Sequence, residues 1–84
     1  MLTVVVRYFA AAKAAAGLDE EKLELPAGAS VGAALDEVRA RHGAELTRVL
    51  ARCSFLLDEV AVHGEETTLT DAATLDVLPP FAGG

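Results

Sequence analysis

Leu2-Thr3-Val4-Val5-Val6-Arg7-Tyr8-Phe9 is a β-branched and aromatic run with nearly continuous apolar character, which predicts a strand buried on much of both faces and placed centrally in a sheet. The alanine-rich stretch Ala10 to Ala16 follows and closes on Gly17, the pattern of a short helix stopped by a glycine. Lys22-Leu23-Glu24-Leu25 alternates polar and apolar residues before Pro26. That is a half-exposed strand, fit to pair with the first one, ending where a backbone donor is lost.

Ser30 is positioned to cap a helix, and Val31, Leu35 and Val38 follow at helical spacing, with Gly43 marking the end. Leu46, Val49 and Leu50 continue the period for one or two turns, too few to stand without tertiary packing. Phe55 to Val62 reads as a strand interrupted by Asp58-Glu59, and His63-Gly64-Glu65-Glu66 as a turn. A brief strand is expected over Thr67-Thr68-Leu69 and a turn over Thr70 to Ala73. Leu75-Asp76-Val77-Leu78 is the last strand, broken by Pro79-Pro80. Strand, strand, helix, strand, short strand, strand describes one mixed α+β unit in which a sheet grasps a main helix with short extra helices beside it.

The 84 residues suit one domain. Hydrophobic residues make up 52% and aromatics only 5%, so the core is to be built from Val, Leu and Ala. Seven basic residues face thirteen acidic ones, a formal charge of −6. That field repels phosphate backbones and anionic lipid and argues against nucleic acid or a membrane as partner. No basic and apolar leader opens the chain and no apolar run reaches about 18 residues, which reads as a soluble cytoplasmic protein.

Cys53 is the sole cysteine, so no internal disulfide or cysteine-rich metal site can form, and it reads as a small buried hydrophobe. His42 suits a helix C-terminus and His63 a solvated turn, with no metal-ligand set near either. Asp19-Glu20-Glu21 and Glu65-Glu66 read as solvated acidic surface. No Ser/His/Asp, Cys/His, phosphate-loop or paired-carboxylate pattern marks a stand-alone enzyme.

The last residues carry the functional signal. Pro79-Pro80 projects the chain stiffly from the last strand, and Phe81-Ala82-Gly83-Gly84 follows as a flexible diglycine tail beyond a folded unit spanning 1–80. Glycine at the final positions leaves the terminal carboxylate unobstructed, so the tail suits threading through narrow active sites. Phe81 is a candidate binding anchor.

Val6 to Gly17 (VRYFAAAKAAAG), with its Phe9 to Lys13 segment, and Leu69 to Gly84 (LTDAATLDVLPPFAGG) resemble the MoaD/ThiS family, on the side of molybdopterin synthase. The resemblance covers essentially the whole chain. It implies a ubiquitin-like β-grasp fold and a non-catalytic sulfur carrier whose Gly84 is adenylated by an E1-like adenylyltransferase using ATP. A sulfur donor protein then turns Gly84 into a thiocarboxylate. Phe81, Ala82 and Gly83 thread into the large subunit of molybdopterin synthase, where sulfur passes to cyclic pyranopterin monophosphate in molybdenum cofactor biosynthesis. No cofactor is permanently bound. Carriers for thiamine or cysteine biosynthesis and ubiquitin-like protein modifiers share the same tail chemistry.

Overall fold

The structure is a computed structural model that describes residues 1–80. The tail positions Phe81, Ala82, Gly83 and Gly84, and their reading as a flexible segment, lie outside the described residues. In chain order the elements are β1 (Leu2–Tyr8), α1 (Ala10–Ala16), β2 (Glu20–Leu25), α2 (Val31–His42), α3 (Ala44–Leu50), β3 (Ser54–Leu57), β4 (Val60–Ala61) and β5 (Ala73–Leu78). The strands form one mixed sheet in the order β2-β1-β5-β3-β4. Only the β1–β5 pair is parallel, with Val4 opposite Ala73 and Tyr8 opposite Val77.

β1 is central, as expected, but it is fully buried on one face only. Leu2, Val4, Val6 and Tyr8 enter the core, while Thr3, Val5 and Arg7 lie half-buried on the opposite face. Period-two geometry sends alternate side chains to opposite sides of a sheet, and here only one side is covered by helices. The continuous valines therefore overstate the burial.

α2 is the main helix against the sheet. The Ser30 hydroxyl accepts from the Ala33 amide at 3.2 Å, satisfying one of the free first-turn donors. Val31, Ala34, Leu35 and Val38 recur at helical spacing and are buried. Gly43 (φ 82) donates its amide to Arg39 carbonyl and leads directly into α3. Gly17 (φ 79) closes α1 in the left-handed region by donating to the Lys13 carbonyl, a backbone state in which a Cβ is disfavoured. The core joins both strand and helix residues: Val4, Val6, Leu23, Leu35, Leu46, Leu75 and Val77 are all essentially inaccessible.

Two local expectations fail. Phe55 to Val62 is a hairpin and not one strand, because Asp58 (φ 48) and Glu59 (φ 70) both take left-handed backbone and reverse the chain between β3 and β4. Two consecutive residues with positive φ are the geometry of a tight hairpin turn, usually signalled by Asn or Gly. The Asp58 carboxylate offsets part of that strain by accepting from the Thr74 amide at 2.9 Å, and the Asp58 amide donates to the Thr74 carbonyl at 2.8 Å. Thr67-Thr68-Leu69 is likewise not a strand. It makes a single bridge from Thr68 to Ser30 and buries Leu69, so this segment tethers the start of α2 without extending the sheet.

Candidate functional site

β5 sets where the tail begins. It is sandwiched between β1 and β3, with Val77 opposite both Tyr8 and Phe55 and Leu78 opposite Ser54. Pairing stops at Pro79 because neither Pro79 nor Pro80 has an amide hydrogen to donate. Pro79 is half-buried and Pro80 exposed. The chain thus reaches the surface at the end of the sheet where α1 starts and where α3 hands over to β3.

A groove of about 750 Å³ opens at this exit point, lined by Ala11, Glu45, Arg48, Val49, Ala51, Arg52, Pro79 and Pro80. Its apolar wall comes from α1, α3 and the two prolines, and its positive charge from two exposed arginines. The expected site residues Phe81, Ala82, Gly83 and Gly84 fall outside the described residues, so what the structure supplies is the root of the tail. Sequence reading missed the groove. The only available signal was the four-residue spacing of Arg48 and Arg52, which periodicity alone does not connect to Pro79.

The open face of the sheet carries a second constellation. Arg7 clasps Asp76 through two parallel hydrogen bonds, Nε to Oδ1 at 2.6 Å and Nη2 to Oδ2 at 2.8 Å. The two residues are directly opposite in the β1–β5 register, and Asp76 is only 5% exposed. A buried carboxylate needs such a charge-assisted partner. Asp58, Glu59 and Thr74 surround the pair in a small cleft of about 190 Å³, and the Phe9 ring lies 5.7 Å from the Arg7 guanidinium.

Glu21 departs from its reading as solvated surface. It lies beneath the C-terminus of α2, where it accepts from the Tyr8 hydroxyl and meets His42 Nε2, and Arg41 Nη1 approaches its Oε1 at 3.3 Å. Tyr8 and His42 meet edge to face with ring centroids 5.9 Å apart. Burial works to raise the Glu21 pKa, but the hydrogen bonds from Tyr8 and His42, the imidazole charge and Arg41 together hold it below its ordinary 4.5. Burial first, and then the bond to Glu21, push the Tyr8 phenol upward. This cluster fastens α2 to β1 and β2.

A carboxylate whose pKa is depressed on folding stabilises the folded state above its unfolded pKa, and that contribution is lost as pH falls through the folded value. Glu21→Gln is therefore expected to cost about 1 kcal/mol at neutral pH. Its deficit relative to the unsubstituted chain should shrink as the medium is acidified below 4.5. Urea unfolding of both proteins across that range checks the sign, and a constant deficit would refute it.

Cys53 is half-buried against the core with its thiol directed to the Val49 carbonyl, and burial raises its pKa, the state of an unreactive thiol. His63 is exposed and lies just ahead of the turn that Gly64 and Thr67 close around Glu65-Glu66. Among the described residues no three His, Cys, Asp or Glu side chains come together as metal ligands, and no helix is long and apolar enough to cross a membrane.

A five-stranded mixed sheet wrapped on one long helix, with its C-terminal strand central and ending at a free surface, defines a ubiquitin-like β-grasp protein. Residues 6–84 match the ThiS family, and the chain belongs to it. It is 32% identical to a molybdopterin synthase sulfur carrier subunit of Chlamydomonas reinhardtii, across 99% of this chain and 100% of that one. Among solved structures it resembles a putative molybdopterin converting factor subunit 1 of Pyrococcus furiosus (TM-score 0.86, 29% identity, 96% and 100% of the two chains). It also resembles small archaeal modifier protein 1 of Methanosarcina acetivorans (0.83, 26%, 100% and 98%). A third likeness is to the Helicobacter pylori complex of molybdopterin-converting factor subunits 1 and 2 (0.68, 25%, 99% and 100%).

Proposed function

We propose that this chain is the sulfur-carrier subunit of molybdopterin synthase. The observation that carries the reading is the end-to-end match to a sulfur carrier subunit, which spans 99% of this chain and the whole of the relative. The family match likewise runs through residue 84. The proposed chemistry asks no catalytic side chain of this chain: a carboxylate is a poor acyl donor until its oxygen becomes a leaving group. The Gly84 carboxylate attacks the α-phosphorus of ATP in an E1-like adenylyltransferase, releasing pyrophosphate and forming an acyl-adenylate. Sulfur at the sulfide level, supplied by a donor protein, displaces AMP and leaves a thiocarboxylate. The large synthase subunit then receives the tail and passes the sulfur to cyclic pyranopterin monophosphate. The complex formed by the Helicobacter pylori relative supports a two-subunit arrangement.

The likeness to an archaeal modifier protein favours one second reading, in which the same adenylate is captured by a lysine of another protein to give an isopeptide. The test is the mass of the C-terminal peptide, taken from cells with an intact sulfur pathway under conditions that preserve thioacids. A sulfur-for-oxygen exchange on Gly84 is expected. Lysine adducts that survive denaturation, without that exchange, would turn the assignment to the modifier. A tail that stays unmodified and also resists an E1-like enzyme, ATP and a sulfur donor would overturn both.

A further inference from the structure

In a chain with nearly twice as many acidic as basic residues, an arginine normally finds a carboxylate. Arg7 holds Asp76, Arg39 holds Asp36, and Arg41 holds Glu37 and Glu21. Arg48 and Arg52 are the exceptions. Among the described residues neither has a carboxylate within 4.0 Å, Glu45 of the same groove included. Both line the groove from which the tail departs.

The tail is short. Four residues beyond Pro80 reach at most about 14 Å when fully extended. An enzyme that draws Gly84 into its active site must therefore bring the mouth of that site close to Pro80, and Pro80 is part of the groove lining. The groove is lined by the apolar residues Val49, Ala51, Pro79 and Pro80 together with the two arginines. A guanidinium is a planar fork that matches carboxylates, and it is less costly to desolvate than an ammonium.

We propose that Arg48 and Arg52 form a docking surface for an acidic segment at the mouth of the enzyme that adenylates the tail. The proposal rests on the carrier reading above. On a protein of net charge −6, a local positive site beside the tail orients the encounter, since long-range repulsion alone would keep an acidic rim away. The two arginines select which surface approaches and bring the tail to its entrance, and take no part in the bond changes at Gly84.

The experiment measures ATP-dependent pyrophosphate release by the E1-like adenylyltransferase as a function of carrier concentration. It uses the full chain, the Arg48→Glu/Arg52→Glu variant, and Arg39→Glu as a charge-altering control on α2. Thermal melts establish that each variant is folded. For the native chain kcat/KM is expected to decline with added salt; the double reversal is expected to raise KM at least about tenfold with kcat nearly unchanged and to abolish that decline. Arg39→Glu should shift KM by no more than about twofold. An unchanged KM in the double variant would overturn the proposal. A rise in kcat/KM would also overturn it, by showing that the groove holds the chain's own tail and competes with the enzyme. Failure of the native chain to support any pyrophosphate release would instead strike the carrier reading itself, and the docking surface with it.

Discussion

Deletion of Gly84 is expected to abolish formation of the acyl-adenylate and of the thiocarboxylate while leaving the melting temperature of the domain essentially unchanged. The separation follows from where the packing ends. Val77 is the last fully buried residue of β5, Leu78 makes the last cross-strand pairing, and Pro79 and Pro80 donate no ladder hydrogen bond. Among the described residues the cross-strand pairings end at Leu78, six positions before Gly84. The reacting carboxylate, in contrast, would be moved back by one residue, about 3.5 Å. A displacement of that size takes an acyl group out of reach of its attacking partner, where misplacement by about 1 Å already costs about 100-fold. Mass analysis of the tail and a thermal melt on the same sample check both halves. Thiocarboxylate on Gly83 of the shortened chain would contradict the positional argument, and a large fall in melting temperature would show the tail to be structural.

Leu75→Ala should have the largest effect on folding. Leu75 is fully inaccessible on β5 and lies opposite Val6 on one neighbour and Leu57 on the other, at the junction of both halves of the sheet. Truncating such a side chain removes its transfer free energy and leaves a cavity in a rigid surround, at a cost of about 2–5 kcal/mol. The entire stability of a small domain is only about 5–15 kcal/mol. For a domain of this length each kcal/mol corresponds to roughly 4–8 °C, so the melting temperature should fall by about 8–40 °C. Leu78→Ala, three positions on and half-buried on the opposite face, should cost far less. Equal losses at the two positions would mean that the open face is as tightly packed as the core.

These two residues also show how differently tail and core depend on their surroundings. The proposed tail chemistry needs only a terminal carboxylate and small flanking residues, and the resemblance that implies it lies in one contiguous stretch, Leu69 to Gly84. The cost of losing Leu75 depends on what touches it. Its alternation with Asp76 and Val77 suggests a strand, but the strand's central position between β1 and β3 comes from a parallel pairing across some seventy residues.

Much of the local structure is legible because its causes are local. Ser30 caps α2, Gly17 ends α1 and Gly43 ends α2 through contacts with residues three or four positions away, and the apolar period of Val31, Leu35 and Val38 declares which face will be buried. The hairpin at Asp58-Glu59 was not legible, since Asp58 is followed by Glu59 where the turn usually has glycine, and the compensating hydrogen bond comes from Thr74, sixteen residues on. Glu21 belongs to an acidic run, yet its partner His42 is set opposite it by the packing of α2 on the sheet.

By itself the sequence determined a single α+β unit, the ends of its helices and the succession of two prolines and two glycines at its end, all properties carried by neighbouring residues. Only the tertiary structure decided that Arg48, Arg52 and Pro79 share one groove and that Arg7 and Asp76 face each other across a parallel ladder. Helix and sheet bring these groups together over separations at which local periodicity holds no information, and the shared core that aligns them is a property of the whole chain.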